Sequence, residues 1–324
     1  MVRQRIRFLP ALAAIVPTIC CVAAVAFFAS SVTAQVTTEA SVALASGADD
    51  TLKVMTFNIR YDNPGDGQDS WPHRRDWVAE IVAREQPDLV GFQEALRHLV
   101  DDLAKRLPNY QWHGVGRDDG KDQGEFGPVF VNKDRWQLTK KGQYWLSTQP
   151  DQPGRLDWNA ACARMVTWVD VQSNLTHRVI RFCNTHWDHR SEEARQQSAQ
   201  LIRRKLQDDG GHDLVLVGDF NSLPTSTAIQ ALVAPVLAND SQQAQPTAPL
   251  RDTYTLVDDQ HRKGPDSTWN GFQRVVPGRR IDFVFVSPKW KVDQYAILDD
   301  QKEGHFPSDH LPVTSVIRLP GILP

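Results

Sequence analysis

The sequence predicts an α/β or α+β layered sandwich, in which β-sheets are covered by helices. Short β-branched and apolar runs recur along most of the chain. Helical spacings of apolar residues separate several of them, and no long linker interrupts the series. A chain of 324 residues with 41% hydrophobic and 9% aromatic residues can bury a large core, and one domain over 51–320 accounts for it.

The elements follow in order. KVMTFNI at 53–59 reads as a strand. In WPHRRDWVAEIVAREQ, 71–86, Trp77, Val78, Ile81 and Val82 share one helical face, and Pro87 stops the run. DLVGFQE at 88–94 returns to strand, and a second helix over 95–107 again ends at a proline. Strands are expected at 110–115, 127–131 and 138–146, then an antiparallel pair at 163–171 and 178–186, rich in β-branched and aromatic residues. Ala194, Leu201 and Ile202 mark a helix over 192–207 with a polar opposite side. A strand at 213–217, a short helix near 225–233 and strands at 280–286 and 311–318 complete the series. The Ala-, Gln- and Pro-rich stretch 235–249 reads as a surface insertion.

The first 34 residues read as a targeting segment. Arg3, Arg5 and Arg7 precede an apolar run from about residue 8 to 28, and Val32, Thr33 and Ala34 supply small residues for cleavage. The run is long for a signal peptide, so an uncleaved anchor is the alternative. Either form predicts a secreted or periplasmic protein, with 35–50 as a flexible linker. Without the leader the chain holds 33 Lys and Arg against 39 Asp and Glu, a net charge of −6, and so exerts no general pull on nucleic acid. Nucleic acid remains a candidate partner that the charge disfavours. No amphipathic membrane helix is evident in the mature part, and a monomer is expected. Cys162 and Cys183 lie on consecutive expected strands and can pair in an exported protein, although their register does not set them opposite one another. Asn174, Leu175 and Thr176 form a glycosylation sequon on the turn between those strands.

The strand ends carry the chemistry. Asn58, Glu94, His186, Asp219 with Asn221, Asp282, and Asp309 with His310 fall at or near the ends of six expected strands. Each alone has an ordinary reading as a turn former, a helix cap or a buried histidine. Together they imply a site, because burying several acids near one another costs several kcal/mol unless a cation or specific partners compensate.

TFNIR at 56–60, QE at 93–94, NTH at 184–186, GDFN at 218–221, RID at 280–282 and SDH at 308–310, in that order, resemble the endonuclease/exonuclease/phosphatase superfamily. That family includes deoxyribonuclease I, apurinic endonucleases, polyadenylate deadenylases, sphingomyelinases and inositol polyphosphate 5-phosphatases. The likeness spans about residues 52–318. It implies a four-layer αββα sandwich, two packed mixed β-sheets flanked by helices, with the site at one edge.

The resemblance also implies a divalent-metal-dependent hydrolase of phosphate esters. Asp219 would orient or activate water, and Asn221 would point to the phosphoryl oxygens. Glu94 would bind the metal with Asn58 beside it and Asp309 close by; oxygen ligands suit Mg²⁺ or Mn²⁺, with Ca²⁺ as a further candidate. His310, held by Asp282, would stabilise the phosphoryl transition state, and His186 would contact the scissile phosphate. Arg164 occupies the place of a phosphate-binding arginine. Where apurinic endonucleases carry a second acid, this chain has Arg60, which would then face the substrate phosphate.

Specificity is less legible. The loop GRDDGKDQGEF, 116–126, either overhangs the site or is solvated, and Trp187, His189, Arg190, Trp269, Asn270 and Phe272 offer a platform or simply core packing. Local grip on one phosphate favours a small phosphoester over duplex DNA. A secreted deoxyribonuclease-like nuclease stays open as the alternative. So does a calcineurin-type dinuclear metallophosphatase, although GDxH and GNH blocks are missing from the sequence. A catalytically silent binding protein is opposed by intact Glu94, Asp219, Asn221, Asp282 and His310.

Overall fold

The computed structural model describes residues 50–208, 213–235 and 250–319. Most of the expected insertion at 235–249 and the whole leader lie outside them. The strands are β1 (Asp50–Asn58), β2 (Leu89–Gln93), β3 (Tyr110–His113), β4 (Val129–Asn132), β5 (Trp136–Trp145), β6 (Met165–Ser173) and β7 (Val179–His186), followed by β8 (Asp213–Asp219), β9 (Arg251–Asp252), β10 (Arg262–Lys263), β11 (Asp282–Val286), β12 (Lys291–Ile297) and β13 (Val313–Leu319). Helices α1 (Trp71–Glu85), α2 (Arg97–Arg106), α3 (Glu192–Asp208), α4 (Thr227–Val233) and the one-turn α5 (Thr253–Leu256) intervene. Sequence pattern missed β9, β10, β12 and α5. Three of these are two to four residues long, and β12 is half-polar and partly exposed, so its alternation gave no apolar run.

Seven strands form one sheet in the order β10-β12-β13-β1-β2-β4-β3, and six form the other in the order β5-β6-β7-β8-β11-β9. Both are mixed: β1 runs parallel to β2, and β7 parallel to β8, among antiparallel neighbours. Side-chain alternation builds the layers. Val54, Leu89, Val169, Val215 and Val284 fill the space between the sheets. Met55, Phe57, Val90 and Phe92 turn the other way, onto Val78, Ile81, Leu99 and Leu103 of α1 and α2. On the far sheet Val166, Leu216 and Phe283 meet Ala199, Ile202 and Ile229 of α3 and α4. This is the αββα order that the resemblance implied.

One polar seam crosses the apolar slab near the ends of β1, β2 and β7. Gln93 donates to Asn184 Oδ1 at 2.6 Å and to Thr56 at 3.0 Å, and Asn184 donates to the Phe92 carbonyl at 2.7 Å. Gly91 allows the approach, since a Cβ there would stand 2.6 Å from Asn184 Oδ1 and from Val217 Cγ2. Gln93 and Asn184, the first residues of QE and NTH, are therefore stitches between the sheets. The Cys162–Cys183 pairing that the sequence left open is not formed: both are free, and the register sets Trp168, not Cys162, opposite Cys183.

Candidate active site

Parallel pairing brings the ends of β1 and β2 together, and likewise those of β7 and β8. Antiparallel pairing then places the starts of β6, β11 and β13 at the same edge. Asp282 lies directly across from Asp219, and His186 beside it. Arg60, Glu94 and Asn221, which follow β1, β2 and β8, adopt positive φ of 55°, 61° and 46°. Such backbone costs on the order of 1 kcal/mol or more per residue and is held by side-chain hydrogen bonds, Arg60 to Asp66, Glu94 to Asn58 and Asn221 to the Trp187 carbonyl.

Asn58, fully buried, joins the two sheets' contributions. Its Nδ2 donates to Glu94 Oε1 at 3.0 Å and to Asp219 Oδ2 at 2.9 Å, and its Oδ1 accepts from the Arg60 amide at 3.0 Å. The Arg60 N–H can only donate, so it faces Oδ1 and fixes the amide orientation. Asn58 therefore buttresses Glu94 and Asp219, and its oxygen keeps a second lone pair beyond the one that accepts the Arg60 amide. The other Glu94 oxygen accepts from Tyr61 N at 3.1 Å. Ser308 donates to the Asn58 carbonyl at 2.7 Å, tying the SDH turn that carries Asp309 to the same strand end.

On the second side, His310 Nδ1 lies 2.9 Å from Asp282 Oδ2 and its Nε2 3.8 Å from Asp219 Oδ2. Burial alone would depress this imidazole, but Asp282 and Asp219 together raise it well above the usual histidine range. Burial, then Asp282, push the Asp219 carboxyl up to about 7. Asp219 Oδ1 accepts the Asn221 amide at 2.8 Å. Thr268 Oγ1 accepts the amides of Ile281 and Asp282, and Asn270 donates to the Ser308 carbonyl at 2.9 Å, so the TWN segment braces both halves of the His–Asp pair.

His186 stands 3.4 Å from Asp219 Oδ2 through Nε2. The Asn221 Nδ2 facing it at 3.0 Å also donates to the Trp187 carbonyl at 3.1 Å, so Nε2 is an acceptor and the proton sits on Nδ1. That N–H looks toward Glu125 Oε2, 3.8 Å away and too distant for a hydrogen bond. Burial and then Arg164 and Arg117 hold His186 well below the ordinary histidine range. Sequence reasoning named the 116–126 loop but not Glu125, which Arg117 grips at 2.5 and 2.9 Å. No spacing rule marks it, because only the folded loop brings it there.

Arg60 does not lie free: Asp66 holds it at 3.0 and 3.1 Å over the Tyr61 ring. Arg164 is buried beside His189. Trp187 is core, edge-on to Phe220, and Asn270 is a buried brace, so neither forms part of an open platform; Trp269 is half-buried, pairs its backbone with His310 and lies under Arg279.

The acid set fits a divalent cation. Ligand atoms of Glu94, His186 and Asp219 lie within 4.8 Å of one another. Burial, and then proximity to Glu94 among other charges, pushes the Glu125 and Asp309 carboxyls up as well. Crowded carboxylate oxygens with one imidazole suit a divalent ion.

A two-sheet sandwich with such an edge defines a phosphoester-hydrolysing class of site. The chain belongs to the Endonuclease/Exonuclease/phosphatase family, whose signature matches residues 55–310. A family structure from Bacteroides vulgatus is 35% identical, covering 83% of this chain and 99% of its own, with a TM-score of 0.76. Another from Bacteroides thetaiotaomicron is 32% identical over 84% of this chain and 99% of its own, with a TM-score of 0.76. The mannosyl-6-phosphatase of Bacteroides thetaiotaomicron is 32% identical over 82% and 99%, with a TM-score of 0.73. No match was found among curated proteins. The chain is accordingly a hydrolytic enzyme acting on phosphoesters. Among the described residues no helix is long and apolar enough to cross a membrane.

Proposed function

We propose that this enzyme hydrolyses a small phosphoester, a phosphorylated sugar foremost, using Mg²⁺ or Mn²⁺. The observation that carries this reading is the buried meeting of Asp219 with the His310–Asp282 pair, within reach of Glu94. Likeness to a mannosyl-6-phosphatase supports the sugar phosphate. A cation held by Glu94 and Asp309 would neutralise charge on a phosphoryl oxygen. Asp219 takes a proton from water as the water oxygen bonds to phosphorus and the bond to the leaving oxygen breaks. His310, kept protonated by Asp282, donates to a second phosphoryl oxygen, and Asn221 holds His186 and the backbone beside Asp219. Solvent returns a proton to the leaving alkoxide. The leader sequence supports export as the setting.

A panel of hexose 6-phosphates, a phosphodiester and plasmid DNA, each with Mg²⁺, Mn²⁺ or Ca²⁺, tests this. Turnover of a sugar phosphate that chelation abolishes is expected. Fastest cleavage of plasmid would replace this reading with a nuclease.

A further inference from the structure

Arg74 stands in the first turn of α1 and is 2% exposed. A guanidinium so buried ordinarily meets a carboxylate, because an unpaired internal charge is costly. Among the described residues this one donates to backbone carbonyls instead. Nη1 reaches Ile59 and Pro307, both at 2.8 Å, Nη2 reaches Arg60 at 3.3 Å, and Nε reaches Asp69. The rings of Trp71 and Phe272 close it in, their centroids 5.7 and 5.1 Å from the guanidinium carbon. Three of the carbonyls belong to the segment between β1 and α1, and the fourth lies 233 positions further along the chain. Burial pulls the guanidinium down to about 10, and Asp309 is first among the carboxylates that oppose the fall.

The bonded carbonyls lead to two carboxylates of the site. Ile59 N donates to the Gln93 carbonyl at 3.2 Å, one residue before Glu94, and Tyr61 N, one residue after Arg60, donates to Glu94 Oε2 at 3.1 Å. Pro307 precedes Ser308, whose hydroxyl donates to the Asn58 carbonyl at 2.7 Å, and then Asp309. Glu94 follows β2 at positive φ and Asp309 precedes β13, so strand pairing alone fixes neither.

We propose that Arg74 is a positioning residue for the divalent cation: its guanidinium bridges the β1–α1 segment to the Pro307 turn, sets Glu94 against Asp309, and so governs affinity for the ion. This rests on the reading of Glu94 and Asp309 as the carboxylates that hold the cation. Charge and geometry here act in opposite directions. A fixed positive charge beside Asp309 repels an arriving cation, so deleting it would tighten binding if charge decided. Losing the fork instead frees two segments that each carry a carboxylate, and outer groups that orient ligands are worth about 10- to 100-fold in metal affinity. The second effect is expected to win, since Asp66 and Asp69 also counter the charge.

Calorimetric titration of Mn²⁺ without substrate tests this in the wild type and in Arg74→Met, Arg74→Lys and Phe272→Leu. Arg74→Met is expected to bind Mn²⁺ about tenfold or more weakly. Arg74→Lys keeps the charge but replaces the planar fork by one ammonium, and a loss of about threefold or more is expected. Phe272→Leu, at a half-buried position, removes only the ring against which the guanidinium lies and should weaken Mn²⁺ about two- to fivefold. At saturating Mn²⁺, hydrolysis of 4-nitrophenyl phosphate by Arg74→Lys should return to within about threefold of wild type, because the loss lies in affinity for the ion. Arg181→Gln is the matched control: it breaks a buried pair with Asp170, at 2.7 and 2.9 Å, and should lower the melting temperature while Mn²⁺ affinity stays within about twofold. Mn²⁺ bound by Arg74→Met as tightly as by the wild type, or more tightly, overturns the proposal and leaves the metal reading standing. Equal weakening in Arg181→Gln also overturns it, by reducing the effect to a general loss of stability. Should Arg74→Met fail to fold, Arg74→Lys and Phe272→Leu decide, and unchanged affinity in both overturns the proposal. A wild type that binds Mn²⁺ through Arg74 but hydrolyses no phosphoester keeps the proposal and removes the reaction assignment, whereas one that binds no Mn²⁺ removes both.

Discussion

Two buried imidazoles flank Asp219 in opposite surroundings. Both reach Asp219 Oδ2, His310 at 3.8 Å and His186 at 3.4 Å, but His310 also has Asp282 at 2.9 Å, while His186 has the Asn221 amide at 3.0 Å and feels Arg164 and Arg117. Burial works against the charged form of both. On the His310 side two carboxylates outweigh it and keep a proton; on the His186 side two guanidinium groups add to it and exclude one. One residue type thus supplies a cationic donor and a neutral prop within a single site, and the charges set around each ring decide which.

The largest effect is expected where both sides meet. Asp219→Ala removes the proton acceptor, and kcat should fall by about 10³-fold or more. The same collapse should follow chelation of the wild type and be reversed by Mg²⁺. Activity within tenfold of wild type in Asp219→Ala would move the centre away from this carboxylate.

Next comes the His310 side alone. Asp282→Asn removes the charge that outweighs burial and the acceptor that orients Nδ1, and a loss of about 10²-fold is expected. The double variant with His310→Ala should be little worse than His310→Ala itself, because the two act as one unit. Additive losses would break the contrast, since His310 would then work without its partner.

Much of this contrast was legible in the sequence, and its limits have a physical cause. Asn58, Glu94, Asp219, Asp282 and His310 end or adjoin strands whose apolar runs announce themselves, and the sheet pairing gathers them. Gln93 and Asn184, which the motifs carry beside Glu94 and His186 and for which the sequence suggested no role, cross the sheet interface as hydrogen-bonded stitches. Asn58 also ties Glu94 to Asp219 through its Nδ2, a role that its sequence position did not announce. The His186 side was barely legible. Glu125, Arg117 and His189 come from loops whose course depends on tertiary closure: Phe126 inserts between Ala95 and Gly116, and Trp145 Nε1 donates to the Arg117 carbonyl at 2.6 Å.

The His186 side also yields a smaller effect. Glu125→Gln keeps the shape but frees Arg117, whose charge would then bear on His186 without its counterion. A loss of about three- to tenfold in kcat/KM is expected, with the melting temperature lowered because a partly buried guanidinium loses its bidentate partner. Unchanged kinetics with lowered stability would make Glu125 a structural anchor for the loop.

The smallest expected effect concerns salt, and it asks whether the arginines of the His186 side grip one phosphate or many. Arg117 is neutralised by Glu125, Arg60 by Asp66, and Arg164 is buried beside His189. A small phosphate ester carries no condensed counterions, so only ordinary screening weakens its grip and a loss within about fourfold is expected between 50 and 200 mM. A strand neutralising six or more phosphates would lose about 10³-fold or more over the same range. The rival source of a steep slope is the exposed set Arg190, Arg274 and Arg279, for which no carboxylate partner is seen among the described residues. Measuring kcat/KM for a hexose 6-phosphate and for plasmid DNA at both salt concentrations separates them. A shallow fall for the sugar phosphate, with plasmid slower at either concentration, fits a site closed around one phosphoryl group. A fast plasmid reaction that Arg274→Ala and Arg279→Ala slow and flatten would show instead that the outer arginines track a polyanion.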